Sequence, residues 1–223
     1  MTCDNCNPGT IYPGKFIKTT PDFSNCAVCG APIRIQRMSS VHKHNYDSSS
    51  WDTYFHSICV AVASKSPCLS RKIGAILVRD HSIVSTGYNG PPRGIPHCGF
   101  DRIMKDYALT EVIRSWPKQH LINHDRFANE CPRKVLGCAS GTHMELCPAQ
   151  HAEENCISNA ARLGVSTIGT TLYMNCVIPC KNCFGTLINA GIVEIVVDDT
   201  KPYDVHTQFL IDNSTIKIRR FEL

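Results

Sequence analysis

The chain has no run of about 18 apolar residues, the length that a membrane-spanning helix requires. Its N-terminus, MTCDNCNPGT, contains no apolar core of a secretory signal peptide. It also has no long basic run, and its formal net charge over 223 residues is only +4. These absences argue against a membrane protein, a secreted protein and an extended nucleic-acid surface. They predict a cytoplasmic location.

Cysteine, in contrast, is abundant. The chain contains 14 cysteines, and several of them form C-x-x-C pairs. In a small secreted protein, so many cysteines would indicate a framework of disulfides. Because no secretion signal is present, metal-bound thiolates in a reducing compartment are the better interpretation.

The first predicted domain covers residues 1–47. Its cysteines follow the pattern C-x2-C-x19-C-x2-C, which suits one tetrahedral zinc ion held by two short knuckles. These ligands are Cys3, Cys6, Cys26 and Cys29. A segment this short buries little apolar surface, so zinc would supply much of its folding energy. The sequence therefore predicts a zinc-ribbon-like segment followed by a linker. The alternative is an unstructured tail with incidental cysteines.

The second predicted domain covers residues 48–223. It opens with a serine-capped helix over SSSWDTYFHSICVAVASKS, which the strand pair IGAILV and SIVSTGY follows as a hairpin. From QHAEEN onward, predicted helices and strands alternate up to TIKIRRFEL. The order β-β-α-β-α-β-α-β predicts a three-layer α/β/α domain. Residues 99–147 interrupt this order, and their composition predicts one helix and long loops.

Four residues of this domain have the chemistry of a catalytic zinc centre. Such a centre needs three protein ligands and a position open for water. His151 begins a predicted helix, and Cys180 and Cys183 lie one turn apart at the start of another. Glu153, two residues after the histidine, would act as acid and base toward water and substrate. The alternative is a structural zinc site with Glu153 as a bystander.

The arrangement H-x-E…P-C-x-x-C is the signature of zinc-dependent deaminases. Six segments extend this signature, from about Trp51 to the C-terminus: SRKIGAILV, GYNGPPRG, HAEENCISNAARLG, TLYMN, PCKNC and INAGIVEIVV. Together they resemble the deoxycytidylate (dCMP) deaminase family of bacteria and phages. The resemblance implies a cytidine deaminase-like α/β/α fold with a mixed central sheet. It also implies hydrolysis of dCMP to dUMP and ammonia, which feeds thymidylate synthesis.

The same resemblance implies roles for further residues. It assigns Asn89 to the deoxyribose and base, the backbone amide of Ala152 to the base carbonyl, and Tyr203 to packing on the pyrimidine. It assigns Arg71 to the 5′-phosphate, whose oxygens match the fork of a guanidinium. The alternative for Arg71 is a solvated charge at a strand start. Arg162 matches a position at the subunit interface and regulatory site, although an exposed arginine at a helix end is an equal alternative.

The family resemblance also implies further metals, ligands and partners. A family variant carries an extra structural zinc, for which the candidates are Cys68, Cys98 and Cys147 with Cys131 or Cys138, and His97 and His143 as alternatives. The remaining cysteines of the body have apolar neighbours and are predicted to fill the core: Cys59, Cys156 and Cys176. The resemblance also implies a homo-oligomer, often a hexamer. Family members are often activated by dCTP and inhibited by dTTP, with Mg²⁺, which the resemblance implies as effectors here.

Other functions remain open at this stage. A close alternative is deamination of dCTP or of a 5-substituted dCMP. A broader one is a polynucleotide cytosine deaminase, against which the chain lacks a basic groove rich in aromatic residues. A third is a binding protein built on an inactive deaminase fold, against which the intact Glu153 argues.

Overall fold

The computed structural model describes residues 50–223 except 118, 119, 121 and 203, and the backbone of three strands near the N-terminus. The chain divides into two compact units, residues 1–48 and 49–223. The described part of the first unit contains the strands β1 (Phe16–Thr20), β2 (Phe23–Cys26) and β3 (Pro32–Arg34). They form an antiparallel sheet in the order β1-β2-β3. Cys3, Cys6, Cys29 and the side chain of Cys26 lie outside the described residues, so the N-terminal zinc site stays a prediction.

The described part of the second unit contains five strands and seven α-helices. The strands are β4 (Gly74–Arg79), β5 (Ser82–Tyr88), β6 (Thr171–Val177), β7 (Glu194–Asp199) and β8 (Lys217–Arg220). The helices are α1 (Trp51–Ala63), α2 (Phe100–Lys105), α3 (Tyr107–Ser115), α4 (Pro132–Val135), α5 (Ala152–Leu163), α6 (Lys181–Asn189) and α7 (Val205–Asp212). Among the described helices, none combines the length and the apolar character needed to cross a bilayer.

The five strands form one mixed sheet in the order β5-β4-β6-β7-β8. Strand β4 is antiparallel to both of its neighbours, whereas β6, β7 and β8 are parallel to one another. Helices α5, α6 and α7 pack on one face of this sheet, and α1 packs on the other. This arrangement confirms the three-layer α/β/α fold that the order of helices and strands predicts.

The sequence of β4 explains why helices cover both faces. Ala75 and Leu77 belong to the core cluster under α5 and α6, whereas Ile76 and Val78 belong to the cluster under α1. Successive side chains of a strand point to opposite faces, so a strand buried on both sides is apolar at every position. The run IGAILV is therefore an interior strand rather than one that alternates apolar and polar residues.

The local signals read from the sequence agree with the observed ends of the helices and strands. Ser50 caps α1 by accepting a hydrogen bond from the amide of Thr53, and Gly164 ends α5 with a φ of 68°. The predicted hairpin joins β4 to β5 through Asp80 and His81, whose φ angles are 50° and 57°. Positive φ at both turn residues matches the right-handed twist of the two strands.

Residues 99–147 are more ordered than the sequence predicts. Instead of one helix and long loops, their described part includes α2, α3, α4 and the short 3-10 helices His124–Ala128 and Met144–Leu146. They also enclose a small apolar core of their own, which consists of Leu109, Ile113, Phe127, Val135, Leu136 and Leu146. Arg102, only 6% exposed, donates to the carbonyl of Leu146 and the carboxylate of Asp106, both at 2.8 Å. The prediction was wrong here because each helix is too short for apolar periodicity to be recognised.

Candidate metal centre and active site

The starts of two helices meet at the carboxyl end of β6. His151 is the N-cap residue of α5, Cys180 is the N-cap residue of α6, and Cys183 lies in the first turn of α6. Both helices pack on the same face of the sheet, and this packing brings their N-termini together. The structure therefore joins His151 to two cysteines that lie 29 and 32 positions further along the sequence.

The side chains of these three residues suit a tetrahedral metal. The Sγ atoms of Cys180 and Cys183 are 3.6 Å apart, and they lie 3.6 Å and 3.3 Å from Nδ1 of His151. Zinc bonds of about 2.3 Å to sulfur and 2.0 Å to nitrogen, at tetrahedral angles, give separations of about 3.5–3.8 Å. In the described part of the chain, this is the one group of three histidine, cysteine or acidic ligands that lie close together.

Electrostatics also favour metal binding at this cluster. The hydrogen bond with Cys183 lowers the pKa of the Cys180 thiol to about 4, so Cys180 is a thiolate at neutral pH. The hydrogen bond with Cys180 raises the pKa of His151 to about 9. The same sulfur–sulfur contact raises the pKa of Cys183, because one proton is held between the two thiols. A cation can replace these protons, since metal ligands of this kind bind in their deprotonated forms.

Glu153 lies beside the cluster in the first turn of α5. It is only 4% exposed, and its Oε1 lies 4.0 Å from Nδ1 of His151. Burial raises the pKa of its carboxyl, while the hydrogen bond from its own amide and the charge of His151 act in the opposite direction. A carboxyl with a raised pKa accepts and releases protons closer to neutral pH than an ordinary one.

A cavity of about 370 Å³ opens beside His151 and Glu153. Ala152, fully buried at the first position of α5, also lines it. The amide of Ala152 is one of the first-turn N–H groups that have no partner within the helix. The cavity has the size of a small-ligand site, and its wall combines apolar surface with a few polar groups.

Contacts between the loop after β5 and the start of α5 hold the histidine in place. Gly90 and Gln150 exchange two backbone hydrogen bonds, of 3.1 Å and 2.9 Å, immediately before His151. The side-chain amide of Asn155 donates to the carbonyl of Tyr88 at 2.8 Å. The segments GYNG and QHAEEN are therefore neighbours in space, which the sequence alone does not show.

Asn89 lines the cavity, but much of its side chain is bonded within the cavity wall. Its Oδ1 accepts from the amide of Ile73 at 2.9 Å and lies 2.7 Å from the hydroxyl of Ser66. Its Nδ2 donates to the carbonyl of Arg71 at 2.9 Å. These bonds leave one amide hydrogen for a ligand. They also fix the loop that carries Arg71, an exposed residue that lines the same cavity.

The other residues expected from the family resemblance have different positions. Arg162 is exposed in the last turn of α5, on a shallow groove beside β5. It lies about 16 Å along the helix from His151, given the rise of an α-helix. Tyr203 lies outside the described residues, so its expected contact with the pyrimidine stays a prediction.

The candidate ligands of the second zinc all line the cavity: Cys68, Cys98, Cys131, Cys138 and Cys147. The sulfur of Cys68 accepts from the amide of Ser70 at 3.4 Å, and that of Cys98 accepts from Nη1 of Arg102 at 3.5 Å. Burial raises the pKa of Cys98, and the nearby Cys131 and Cys147 raise it further. Within the described chain, no three of these five sulfurs lie as close together as the ligands of the catalytic cluster.

Several residues of the cavity wall were not predicted from the sequence. Lys134 and Arg133 belong to it, although they lie in the segment that was predicted to form loops. Cys176, which was expected in the core, is half-buried against the core and also lines the cavity. The pairing of β6 with β7 shifts between Met174 and Val177, so this end of β6 leaves the regular sheet. Cys59 and Cys156 are fully buried as expected.

The chain matches a family of known enzymes over this region. Residues 49–198 match the family model of the cytidine and deoxycytidylate deaminase zinc-binding region. The chain therefore belongs to this family of zinc-binding deaminases, which confirms the family that the motifs indicate. Family membership and the ligand cluster together identify zinc as the metal of this centre.

Individual relatives are deoxycytidylate deaminases. The Saccharomyces cerevisiae enzyme is 30% identical over 172 residues, which cover 77% of this chain and 45% of the yeast protein. The Schizosaccharomyces pombe enzyme is 28% identical over 173 residues and is covered to 44% of its length. This chain thus spans a little under half of these two relatives. The enzyme of Mycobacterium phage D29 is 30% identical over 151 residues, which cover 66% of this chain and 92% of the phage protein.

A solved structure has the same fold. It is the crystal structure of dCMP deaminase from the cyanophage S-TIM5 in complex with dCMP and dUMP. The two structures superimpose with a TM-score of 0.50 at 17% sequence identity, covering 75% of this chain and 94% of the phage chain. This likeness confirms the cytidine deaminase-like α/β/α architecture.

Proposed function

We propose that this protein hydrolyses dCMP to dUMP and ammonia and so supplies thymidylate synthesis from the cytoplasmic nucleotide pool. The observation that carries the proposal is the cluster of His151, Cys180 and Cys183 with the buried Glu153 beside it, on the wall of a ligand-sized cavity. The similarity to deoxycytidylate deaminases from yeast and phage supports dCMP as the substrate.

Each residue has a separate task in this reaction. His151, Cys180 and Cys183 would hold zinc, which provides hydroxide as a nucleophile near neutral pH because it lowers the pKa of water. Glu153 accepts a proton from the attacking water and delivers it to the ring nitrogen of cytosine. It then carries the remaining proton, that of the hydroxyl group added at C4, to the amino group, which leaves as ammonia as the C4 carbonyl forms. The amide of Ala152 donates to the carbonyl of the base, which orients the ring.

The charge of the cavity supports a nucleotide substrate over a nucleoside. Arg71 lies in the cavity wall, and its guanidinium fork matches the oxygens of a 5′-phosphate. Asn89, with one amide hydrogen available, would bind the deoxyribose or base. The alternative substrates dCTP and 5-substituted dCMP would use the same binding residues. Whether they fit as well as dCMP depends on the room that the cavity provides.

We also propose two structural zinc ions, one beside the cavity and one in the first unit. We assign Cys68, Cys98, Cys131 and Cys147 to the one beside the cavity, with Cys138 as the alternative to Cys131. The buried Arg102 supports this site, because a guanidinium that donates to Cys98 offsets part of the negative charge of four thiolates. The N-terminal cysteines would hold the other ion. We further propose a homo-oligomer, with Arg162 at an interface or effector site that binds dCTP or dTTP with Mg²⁺.

The test is a comparison of substrates with purified, zinc-loaded protein. Ammonia release is measured from dCMP, CMP, deoxycytidine, dCTP, 5-methyl-dCMP and single-stranded DNA. We expect dCMP to react with the highest kcat/KM and DNA to release no ammonia. Release from DNA but not from dCMP would replace the proposal with a polynucleotide deaminase. Zinc-loaded protein that turns over none of these compounds would refute a cytosine deaminase altogether.

A further inference from the structure

The charged side chains that line the cavity are mainly basic. Arg71, Arg133 and Lys134 belong to the wall, whereas Glu153 is the only acidic residue among the described residues that line it. In the described part of the chain, none of these three cations has a carboxylate within ion-pair distance. The cavity wall therefore offers cations that no carboxylate of the described residues pairs with directly, as a site for an anion requires.

Arg133 uses its guanidinium to hold the cavity wall together. Its Nε donates to the carbonyl of Thr142 at 2.8 Å, and its Nη2 donates to that of Ala139 at 3.2 Å. These bonds close the loop that includes Ala139, Ser140 and Gly141, all of which line the cavity. Arg133 is thus a positioning residue for the wall.

Lys134, in contrast, is largely free to bind. It is exposed on α4, and its Nζ donates one long hydrogen bond of 3.3 Å to the carbonyl of Ser70. An ammonium group has three hydrogens, so two remain. Ser70 immediately precedes Arg71, whose own carbonyl is fixed by Asn89. These contacts bring Lys134 and Arg71 to the same part of the cavity wall, although they lie far apart in the sequence.

We propose that Lys134 binds the 5′-phosphate of the substrate together with Arg71. The inference rests on the proposed function and deepens it. Arg71 offers a planar guanidinium fork, and Lys134 offers a compact ammonium group. A phosphate dianion can accept hydrogen bonds from both. The segment 99–147 then contributes to substrate preference. Its helix α4 supplies a cation that makes the enzyme prefer a nucleotide to a nucleoside.

The test separates phosphate binding from catalysis. Steady-state kinetics with dCMP and deoxycytidine are measured for the zinc-loaded wild type and for Lys134→Met and Lys134→Arg. Lys72→Met is the matched control, because Lys72 is exposed next to Arg71 but does not line the cavity. We expect Lys134→Met to raise KM for dCMP about 10-fold or more, the scale of a lost charged hydrogen bond. Its kcat/KM for deoxycytidine should not change.

Two further variants test whether the charge at position 134 is what matters. Lys134→Arg should retain most of the affinity for dCMP, and Lys72→Met should behave as wild type. An unchanged KM for dCMP in Lys134→Met, or equal losses for dCMP and deoxycytidine, would overturn the role of Lys134 while leaving the deaminase activity intact.

Calorimetric titration with dUMP gives a second readout that needs no turnover. Lys134→Met should bind dUMP about 10-fold more weakly than wild type does. Equal affinities, or no binding of dUMP by wild type, would also overturn the role of Lys134. A wild type that binds dUMP but releases no ammonia from dCMP would instead refute the proposed function.

Discussion

At the scale of single residues, Glu153 combines two properties that a proton carrier in a closed site needs. Its carboxyl is nearly inaccessible to water, and burial raises its pKa. It also lies in the same helical turn as His151, so its position relative to the metal ligands is fixed by the backbone of α5. We therefore propose that Glu153 acts through proton transfer and not through metal binding.

This distinction leads to a prediction for Glu153→Gln. Glutamine has nearly the same shape as glutamate but does not carry a proton between water and substrate. We expect kcat for dCMP to fall by about 100-fold or more, the usual scale for the loss of acid–base catalysis. Zinc content, measured by elemental analysis of the same sample, should stay at the wild-type value.

The neighbouring Glu154 provides the control. It is also acidic and lies in the same turn, but it does not line the cavity. Glu154→Gln should therefore have wild-type kcat. If Glu153→Gln and Glu154→Gln have equal activities, Glu153 is not the proton carrier. If Glu153→Gln loses zinc, its role is to hold the metal centre.

At the scale of helices and strands, the site depends on how closely α5 approaches β5. Gly87 lies in β5 beneath this helix, and a Cβ added there would lie 2.4 Å from both the carbonyl oxygen of Ala152 and the amide of Cys156. Both atoms are backbone atoms of α5, so no side-chain rotation can relieve the overlap. The helix that carries Glu153 can pack in this position only because residue 87 has no side chain.

We therefore expect Gly87→Ala to displace α5 and reduce both stability and activity. Overpacking of this kind typically costs about 1–3 kcal/mol in the free energy of unfolding. Chemical denaturation and ammonia release from dCMP provide the two measurements. Gly185→Ala is the matched control, because nothing lies within 4 Å of its added Cβ in α6. It should stabilise the protein by about 0.5–1 kcal/mol and leave activity unchanged. Equal stabilities of the two variants would contradict the close packing of α5.

Some of these helices, strands and contacts can be predicted from the sequence, and others cannot. Strands such as β4 and helices such as α5 have apolar patterns and end signals within a single segment, so both were predicted. The zinc ligands were also predicted, because His151 and Cys180 belong to short local motifs. Lys134 was missed because its position in the cavity depends on a contact with Ser70, 64 residues away, which no local pattern encodes. The packing of Gly87 against α5 was missed for the same reason.

At the scale of the whole molecule, we expect the two units to have different sources of stability. The second unit buries a continuous core on both faces of its sheet, whereas the described part of the first unit consists of three short strands. A unit this small buries little apolar surface. We propose that zinc held by the N-terminal cysteines supplies part of its folding energy.

The number of zinc ions per chain tests the three proposed zinc sites together. We expect elemental analysis to find three zinc ions per chain, because three separate sets of ligands are proposed. Three variants should each lose one ion, namely the double variant Cys3→Ser and Cys6→Ser, the variant Cys98→Ser and the variant Cys180→Ser. Only Cys180→Ser should lose all ammonia release from dCMP, since the other two ions are proposed to stabilise the fold and not to act on the substrate.

A full complement of zinc in Cys98→Ser would show that the second structural zinc site does not exist. Loss of activity in the double variant, with the catalytic zinc retained, would show that the first unit contributes to the reaction.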